Sequence, residues 1–452
     1  MNDPSALGAA RTIINGMIAV TALVLILAQI LALSPPQIVW PSLFAIYFSV
    51  NVRELKKSGS VILAIAVMAG GAAAILNNFR PHSAFEQTGF FFALLVLLQS
   101  LARIASRSSD VVQGAQFIVS RAPGRRYLFV SLGTHLLALF LQIGSMVLVM
   151  SLLAGRFRDA GEALTRSLAL AAMRGFACTA MWSPLSMSIL VIFSNIDGIS
   201  FLEILPFGLA GSALYIMAGY LADRRGPQGT APPSATSGNQ RGALLRVLAR
   251  ILFLFAIAVV AIALFDLPLI EGIFLAVFTL TIAWRLAEWL TKGERRSTVR
   301  ELSLSAGAMV NELAIICGAT MIGVIAADLV QNQSGVVQAL GSGEAAAIVS
   351  FLPGIVFAGG TAAINPLASV TIAASILDPI WPPGAKIWLA IALSWGWTIT
   401  ACGTPFTANM LVSSRLIGRS SSALAYGWNG RFTAYTVLAA GMLAALGVLI
   451  YS

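Results

Sequence analysis

Two stretches of this chain combine polar side chains, Gly and Pro inside otherwise apolar sequence. The first is Gly175-Phe-Ala-Cys-Thr179-Ala-Met-Trp-Ser183-Pro184-Leu-Ser186. The second is Gly396-Trp-Thr-Ile-Thr400-Ala-Cys-Gly403-Thr404-Pro405-Phe-Thr407. They lie 396 − 175 = 221 residues apart, and the offset holds without a gap from Leu168–Val191 to Leu389–Val412, where nine of 24 positions are identical. Gly and Pro free backbone groups from a helix, and in hydrocarbon those groups must line protein or a water-filled cavity. Half-helix N-termini then offer N–H donors and partial positive charge to an anion, while freed carbonyls and hydroxyls suit a small cation. The residues placed to do this are Thr179, Ser183, Ser186 and Ser188 in the first break, and Thr400, Gly403, Thr404, Thr407 and Asn409 in the second. A single break of this kind reads as an ordinary Pro kink. A matched pair points to the binding site of a secondary transporter.

A second polar group is expected at hairpin tips. Gly359-Gly360-Thr361-Ala-Ala-Ile-Asn365-Pro366-Leu-Ala-Ser369-Val-Thr371 joins a turn-forming Gly pair to Thr361 and Asn365, and Gln142-Ile-Gly144-Ser145 is its sparser counterpart. Charges within apolar segments carry a default functional reading because burying them is costly. Arg174, two turns before the first break, either attracts a carboxylate or sulfonate or snorkels to an interface. Glu312, beside Asn311, either carries a coupling proton or makes a structural hydrogen bond. Arg285 and Glu288 read as interfacial, and His135 as a packing residue.

The elements that must position these residues follow from composition. Apolar residues fill 58% of 452 positions and charged residues 10%, which excludes a soluble domain and gives an all-α polytopic membrane protein. The formal net charge of +10 is spread over short loops, so it sets topology rather than binding nucleic acid. Cys178, Cys317, Cys402, His82 and His135 lack ligand spacing, so no metal, disulfide or cofactor is expected.

On a ruler of roughly 20 residues per span, eleven transmembrane helices are expected: Thr12–Leu33, Ile38–Val52, Ser60–Leu76, Gly89–Ile104, Leu168–Ile192, Phe201–Leu221, Leu244–Phe265, Leu269–Leu290, Leu302–Ala327, Trp388–Leu411 and Phe432–Tyr451. Tyr127–Ala154 and Ala345–Leu377 read as re-entrant hairpins. Only then do the Arg- and Lys-rich loops, including Arg103, Arg107, Arg125, Arg126, Arg156, Arg246, Arg250, Arg415 and Arg419, gather on one side. The expected layout is an extra N-terminal span (1–37), a first repeat (38–222) with hairpin 127–154, a cytoplasmic Pro/Gly/Ser-rich linker (223–243), and a second repeat (244–452) with hairpin 345–377. Five spans per repeat is odd, so the repeats are of inverted topology. The N-terminus is then cytoplasmic and the C-terminus periplasmic.

Thr400-Ala-Cys-Gly403-Thr404-Pro405-Phe-Thr407-Ala-Asn409 is similar to the Gly-Thr-Pro-x-Asn break of the divalent-anion:sodium symporters within the ion-transporter superfamily. The Asn365–Thr371 tip resembles that family's Ser-Asn-Thr hairpin motif. The first half carries Gly144-Ser145 and Ser183-Pro184-Leu-Ser186 in those places. The resemblance implies an elevator-like transporter in which tips and breaks hold a dicarboxylate and sodium ions. The resemblance carries over to Thr361, Asn365, Thr404 and Asn409; with the breaks, the first tip and the buried charge, the expected solute ligands are Ser145, Arg174, Thr179, Ser183, Ser186, Thr361, Asn365, Thr400, Thr404, Thr407 and Asn409. The expected cation ligands are Gly360, Asn365, Gly403, Thr404 and Asn409.

The expectation is therefore a secondary transporter of a bacterial inner membrane, not an enzyme, moving a small anionic solute coupled to Na⁺ or H⁺. Its partners are that solute and the lipid bilayer, with homodimerisation left open and no nucleic acid. The large membrane subunit of a tripartite binding-protein-dependent transporter has a similar span count. From another class, a membrane-embedded glycan polymerase or ligase would be expected to show a sizeable outer loop, and the outer loops here are short.

Overall fold

The structure is a computed structural model. It describes residues 4–33, 35–77, 82–120, 124–156, 161–223, 238–292, 298–332 and 340–452. Linker residues 224–237 and the loop arginines Arg80, Arg121, Arg158, Arg295 and Arg296 lie outside the described residues. Those described are helical with no strand, and ten helices among them are long and apolar enough to cross a membrane. The chain forms two compact units, each drawing on both halves of the sequence: Met1–Leu101 with Ile257–Val336 and Thr371–Ile376, and Ala102–Ala256 with Val337–Val370 and Leu377–Ser452.

In chain order the helices are α1 (Pro4–Ile30), α2 (Val39–Val50), α3 (Lys57–Asn77), α4 (His82–Ser106), α5 (Ser109–Val119), α6 (Arg126–Leu141), α7 (Ile143–Arg156), α8 (Glu162–Ala177), α9 (Met187–Phe193), α10 (Phe201–Asp223), α11 (Gly238–Phe265), α12 (Leu269–Lys292), α13 (Thr298–Ala308), α14 (Val310–Asn332), α15 (Ser342–Thr361), α16 (Pro366–Leu377), α17 (Lys386–Gly403), α18 (Ala408–Ile417) and α19 (Gly430–Tyr451).

The first unit packs by small residues and polar pairs, the two devices that hold helices together where lipid removes the hydrophobic drive. α14 lies along α3: a Cβ on Gly318 would sit 2.9 Å from the Ile62 carbonyl oxygen. α13 lies along α1, where Ser303 Oγ donates to the Thr12 carbonyl. Asn15 and Asn51, both buried, exchange reciprocal amide bonds of 3.1 and 2.8 Å, and Tyr47 OH donates to the Ala306 carbonyl at 2.6 Å. Arg285, expected at an interface, pairs with the buried Glu301 and lies 3.7 Å from Glu288.

Four expectations meet a different outcome. Ile38–Val52 forms an α-helix of only 12 residues, α2, because Pro35-Pro36 precedes it and the tighter 3-10 turn Val52–Glu54 follows Asn51. Leu302–Ala327 is two helices, interrupted at Met309, which puts Asn311 and Glu312 in the first turn of α14. The last linker residues, 238–243, already belong to α11. Finally, Gly359-Gly360 is not the turn of its hairpin, because α15 continues through both to Thr361.

The second unit holds both breaks, the α6–α7 hairpin, and α15 with the start of α16, while Thr371–Ile376 of α16 belong to the first unit. α6 and α7 each pack on α5 and on α8, so the chain folds back at Gln142, whose φ is +49°. α15 packs on α17 and α19, and its reversal falls on Ala363. There Ile364 N–H bonds the Gly359 carbonyl at 2.9 Å and Ala363 N–H the Gly360 carbonyl at 3.1 Å, a Schellman end built on alanine at φ +63°. Glycines set the helix spacing: a Cβ on Gly175 would lie 2.0 Å from the Ser131 carbonyl oxygen, and one on Gly441 2.1 Å from that of Ser350.

Candidate functional site at the paired breaks

Each break is a short non-helical step closed by a hydroxyl cap. After α8 a tight turn over Cys178–Met181 leads to Ser183-Pro184, and Ser186 Oγ then accepts from Ile189 N–H at 3.4 Å to start α9. After α17 the chain passes Thr404-Pro405, and Thr407 Oγ1 accepts from Met410 N–H at 3.4 Å to start α18. The bonding recurs at the offset of 221. Ser183 N–H bonds the Thr179 carbonyl, as Thr404 N–H bonds that of Thr400, and Leu190 N–H bonds Ser186, as Leu411 N–H bonds Thr407.

Each tip meets its own break. Gln142 Nε2 donates to the Leu185 carbonyl at 3.0 Å, and Ser145 Oγ donates back to the Gln142 carbonyl at 2.8 Å. In the second pair, a Cβ on Gly360 would lie 2.3 Å from Thr400 Cγ2 and 3.0 Å from Thr404 Cγ2. Only glycine at 360 admits both threonines, which is what the Gly pair does in place of turning the chain. Gly403 packs on Phe357 and Thr433. Asn365 caps α16, its Oδ1 accepting from Leu367 N–H at 3.0 Å, and Thr361 Oγ1 donates to the Ala358 carbonyl at 2.7 Å; both residues are half-buried.

The two breaks are laced to one another. Thr398 Oγ1 donates to the Ala177 carbonyl at 3.2 Å, joining residues 398 − 177 = 221 apart, and Cys402 Sγ lies 3.3 Å from the Met173 carbonyl. Thr179, Ser183, Ser186, Thr400, Thr404 and Asn409 are all buried, and Thr407 is half-buried. The hydroxyls of Thr179, Thr400 and Thr404 satisfy their own helices, donating to Phe176, Gly396 and Thr400 carbonyls at 2.8, 2.7 and 3.1 Å.

Two oxygens do not follow this pattern. Asn409 is 1% exposed; its Nδ2 donates to the Ala401 carbonyl at 3.3 Å, and its Oδ1 has no partner among the described residues. Ser188, at 409 − 221 = 188, is fully buried and its Oγ also has no partner among them. Buried polar atoms without partners are rare enough that each asks for a reason.

Arg174 does not snorkel. It is 3% exposed, and its donors go to Asn429 Oδ1 at 3.1 and 2.8 Å, to Tyr127 OH at 2.9 Å and to the Gly219 carbonyl at 3.4 Å. His135 sits between two groups: Trp182 Nε1 donates to its Nε2 at 3.1 Å, so its Nδ1 carries the proton and donates to the Gly175 carbonyl at 3.0 Å. Both of its nitrogens are used structurally. The sequence does not single out Asn429 or Tyr127, and it gives Gln142 only as part of the first tip. Asn429-Gly430 reads as a turn, and only the single-turn π-helix Ala423–Trp428 places Asn429 beside the second break. Among the described residues no three His, Cys, Asp or Glu side chains gather to hold a metal, and the three cysteines are buried and free.

Outside this site Asp110 pairs with both Arg246 and Arg250, each at 2.7 Å. Hydrogen bonding from Arg246 first, then from Arg250, holds the Asp110 carboxyl below the usual carboxylate range against the opposing effect of burial.

Among known structures, the chain superposes on the YdaH transporter of Alcanivorax borkumensis with a TM-score of 0.53 and 13% identity, covering 79% of this chain and 85% of that one. The likeness is one of fold. No family model matches the sequence, and no curated protein matches it either.

Proposed function

We propose that this protein is a secondary active transporter of a bacterial inner membrane that moves a small, dicarboxylate-like anion together with Na⁺ by alternating access. The observation that carries the reading is the pair of laced breaks, each holding a buried oxygen without a protein partner at corresponding positions, Ser188 Oγ and Asn409 Oδ1. An acceptor left open in a buried site awaits a donor or a cation, and a neutral amide oxygen ligates Na⁺ but holds no proton near neutral pH. His135, with both nitrogens used, is a poor proton carrier. The cation site then comprises Asn409 with the break at Gly403 and Thr404 and the tip at Gly360 and Asn365.

The solute's anionic end belongs at the capped start of α18, whose first N–H groups and Thr407 face the break, with buried Arg174 supplying positive charge nearby. That both breaks, the tip at Gln142 and the tip residues Gly360, Thr361 and Asn365 fall in one compact unit fits an elevator-like mechanism in which a single body carries the proposed ligands. The superposed structure is described as that of a transporter, which accords with this reading. In this orientation the N-terminus is cytoplasmic and the two hairpins are re-entrant within inverted repeats.

Thermal-shift screening of detergent-purified protein against sulfate, succinate and benzoate, with Na⁺ or choline as the cation, tests the proposal. At least one anion is expected to stabilise the protein, and more in Na⁺. No response to any anion and none to Na⁺ would remove the transport reading. Cysteines at Gly155 and Ser342 test the topology: labelling of position 155 from the cytoplasmic side only, and of 342 from the periplasmic side only, is expected.

A further inference from the structure

The Arg174 guanidinium is almost fully buried, yet every partner it has is neutral: the Asn429 amide oxygen, the Tyr127 hydroxyl, the Gly219 carbonyl and the face of Phe432, 3.8 Å from the ring centroid. No carboxylate among the described residues lies in ion-pair distance of it. Asp223, at the end of α10, accepts from Ser167 Oγ at 2.6 Å and feels Arg174 only through space, without an ion pair.

The amide of Asn429 has one orientation. Its oxygen takes two guanidinium bonds, while its Nδ2 donates to the Cys402 carbonyl at 3.1 Å and to Thr433 Oγ1 at 3.2 Å. One side chain thus ties the buried cation, two turns before the first break, to a backbone carbonyl two residues before Thr404 in the second. Aspartate would occupy the same space and bind arginine bidentately, the usual way to bury such a charge. Here the position holds its neutral isostere, and the charge stays whole.

We propose that Arg174 is a fixed, un-neutralised positive charge that sets the potential of the breaks and selects anions over cations and neutral solutes. Asn429 is its positioning residue. The proposal rests on the transport reading above. Arg174 acts through space, four of its five N–H donors being used and the side chain being 3% exposed, so it tunes solute affinity without touching the solute.

The test reads potential directly and needs no knowledge of the solute. Phe406, 53% exposed within the second break, is replaced by cysteine (F406C) in the full-length protein. Its modification by anionic sulfonatoethyl and cationic trimethylammonioethyl methanethiosulfonates is timed by mass spectrometry. A unit charge about 10 Å away in a partly wetted site biases the two reagents relative to one another about ten-fold. In F406C the anionic reagent is expected to be favoured. Adding N429D, or R174Q, is expected to lower the anionic-to-cationic rate ratio about ten-fold, whereas R174K retains it.

N429D pairs the guanidinium but turns a carboxylate oxygen toward the Cys402 carbonyl that Asn429 Nδ2 serves, so it is expected to melt lower and its ratio is read below its own melting point, on folded protein. A ratio unchanged in N429D and R174Q overturns this inference and leaves transport standing. A ratio that falls in N429D but not in R174Q also overturns it, since the added carboxylate and not the loss of the Arg174 charge would then set the potential. No modification of residue 406 by either reagent means the break is not wetted, and that result removes the transport reading as well.

Discussion

Replacing Asn409 by leucine separates a ligand from a packing residue, because the two roles predict opposite signs for stability. Asn409 lies 1% exposed with Oδ1 unpartnered among the described residues, and an orphaned buried acceptor costs about 1–3 kcal/mol. Its other bond, Nδ2 to the Ala401 carbonyl at 3.3 Å, contributes about 0.5–1.5 kcal/mol. Loss of that bond leaves the carbonyl still satisfied, since Thr407 Oγ1 donates to it at 3.0 Å. The hydrogen-bond balance of N409L is therefore a gain of roughly 1 kcal/mol in Na⁺-free medium, leucine keeping the forked shape of asparagine with bulkier methyl ends that fill the space left for an ion. Bound Na⁺ at about 100 times its dissociation constant adds roughly 2.7 kcal/mol to the native protein and nothing to N409L. The assay is thermal unfolding of purified protein in choline chloride and in NaCl at equal ionic strength. N409L is expected to melt slightly above the native protein in choline and below it in Na⁺. A variant that is less stable in choline yet keeps the full Na⁺ shift would refute the reasoning, because Asn409 would then be held by a protein contact and would not ligate the ion.

Other substitutions probe the scaffold around the site. Gly175→Ala drives a methyl to 2.0 Å from the Ser131 carbonyl and is expected to cost at least about 3 kcal/mol, beyond ordinary overpacking, while Gly155→Ala, with nothing within 4 Å, is neutral; detergent melting curves distinguish them. Ala363→Gly relieves a left-handed alanine and is expected to raise the melting temperature slightly or leave it unchanged, whereas Ala363→Val is expected to lower it clearly, a β-branched residue being far worse at φ +63°. Because the Asp110 carboxyl is held below its ordinary value, its contribution is present above the unfolded value near pH 4 and lost as pH falls through the lower folded one. Asp110→Asn is expected to flatten the acid limb of a stability–pH curve, by a small, salt-sensitive amount. Thr404→Ala is expected to cut Na⁺-dependent uptake into proteoliposomes while leaving membrane insertion intact.

The breaks were legible because Gly, Pro and hydroxyl residues recur at a fixed offset, and the recurring bonds of Thr179 with Ser183 and Thr400 with Thr404 are the physical content of that pattern. Helix type followed from apolar length, and helix continuity did not. α15 runs through Gly359-Gly360 because close approach to Thr400 and Thr404 requires glycine there, a tertiary demand that looks identical to a turn signal in one dimension. α13 and α14 were read as one span because both are apolar and only Met309 separates them. Arg174 was seen and its partner was not. Asn429 lies 255 residues further on, and no local pattern announces that an asparagine before a glycine will be buried against a guanidinium.

That sequence distance bears on biogenesis. Chains emerge and insert from the N-terminal side, so Arg174 must enter the bilayer long before residue 429 is synthesised. Throughout that interval the nascent protein carries a cation in its interior without its main acceptor, and the α8 carbonyls of Met173 and Ala177 lack Cys402 and Thr398. Maturation of the first broken helix is thus a post-insertion event, completed only when the last quarter of the polypeptide arrives. Ribosome-stalled intermediates truncated before α17 should consequently be prime clients for membrane chaperones and intramembrane proteases.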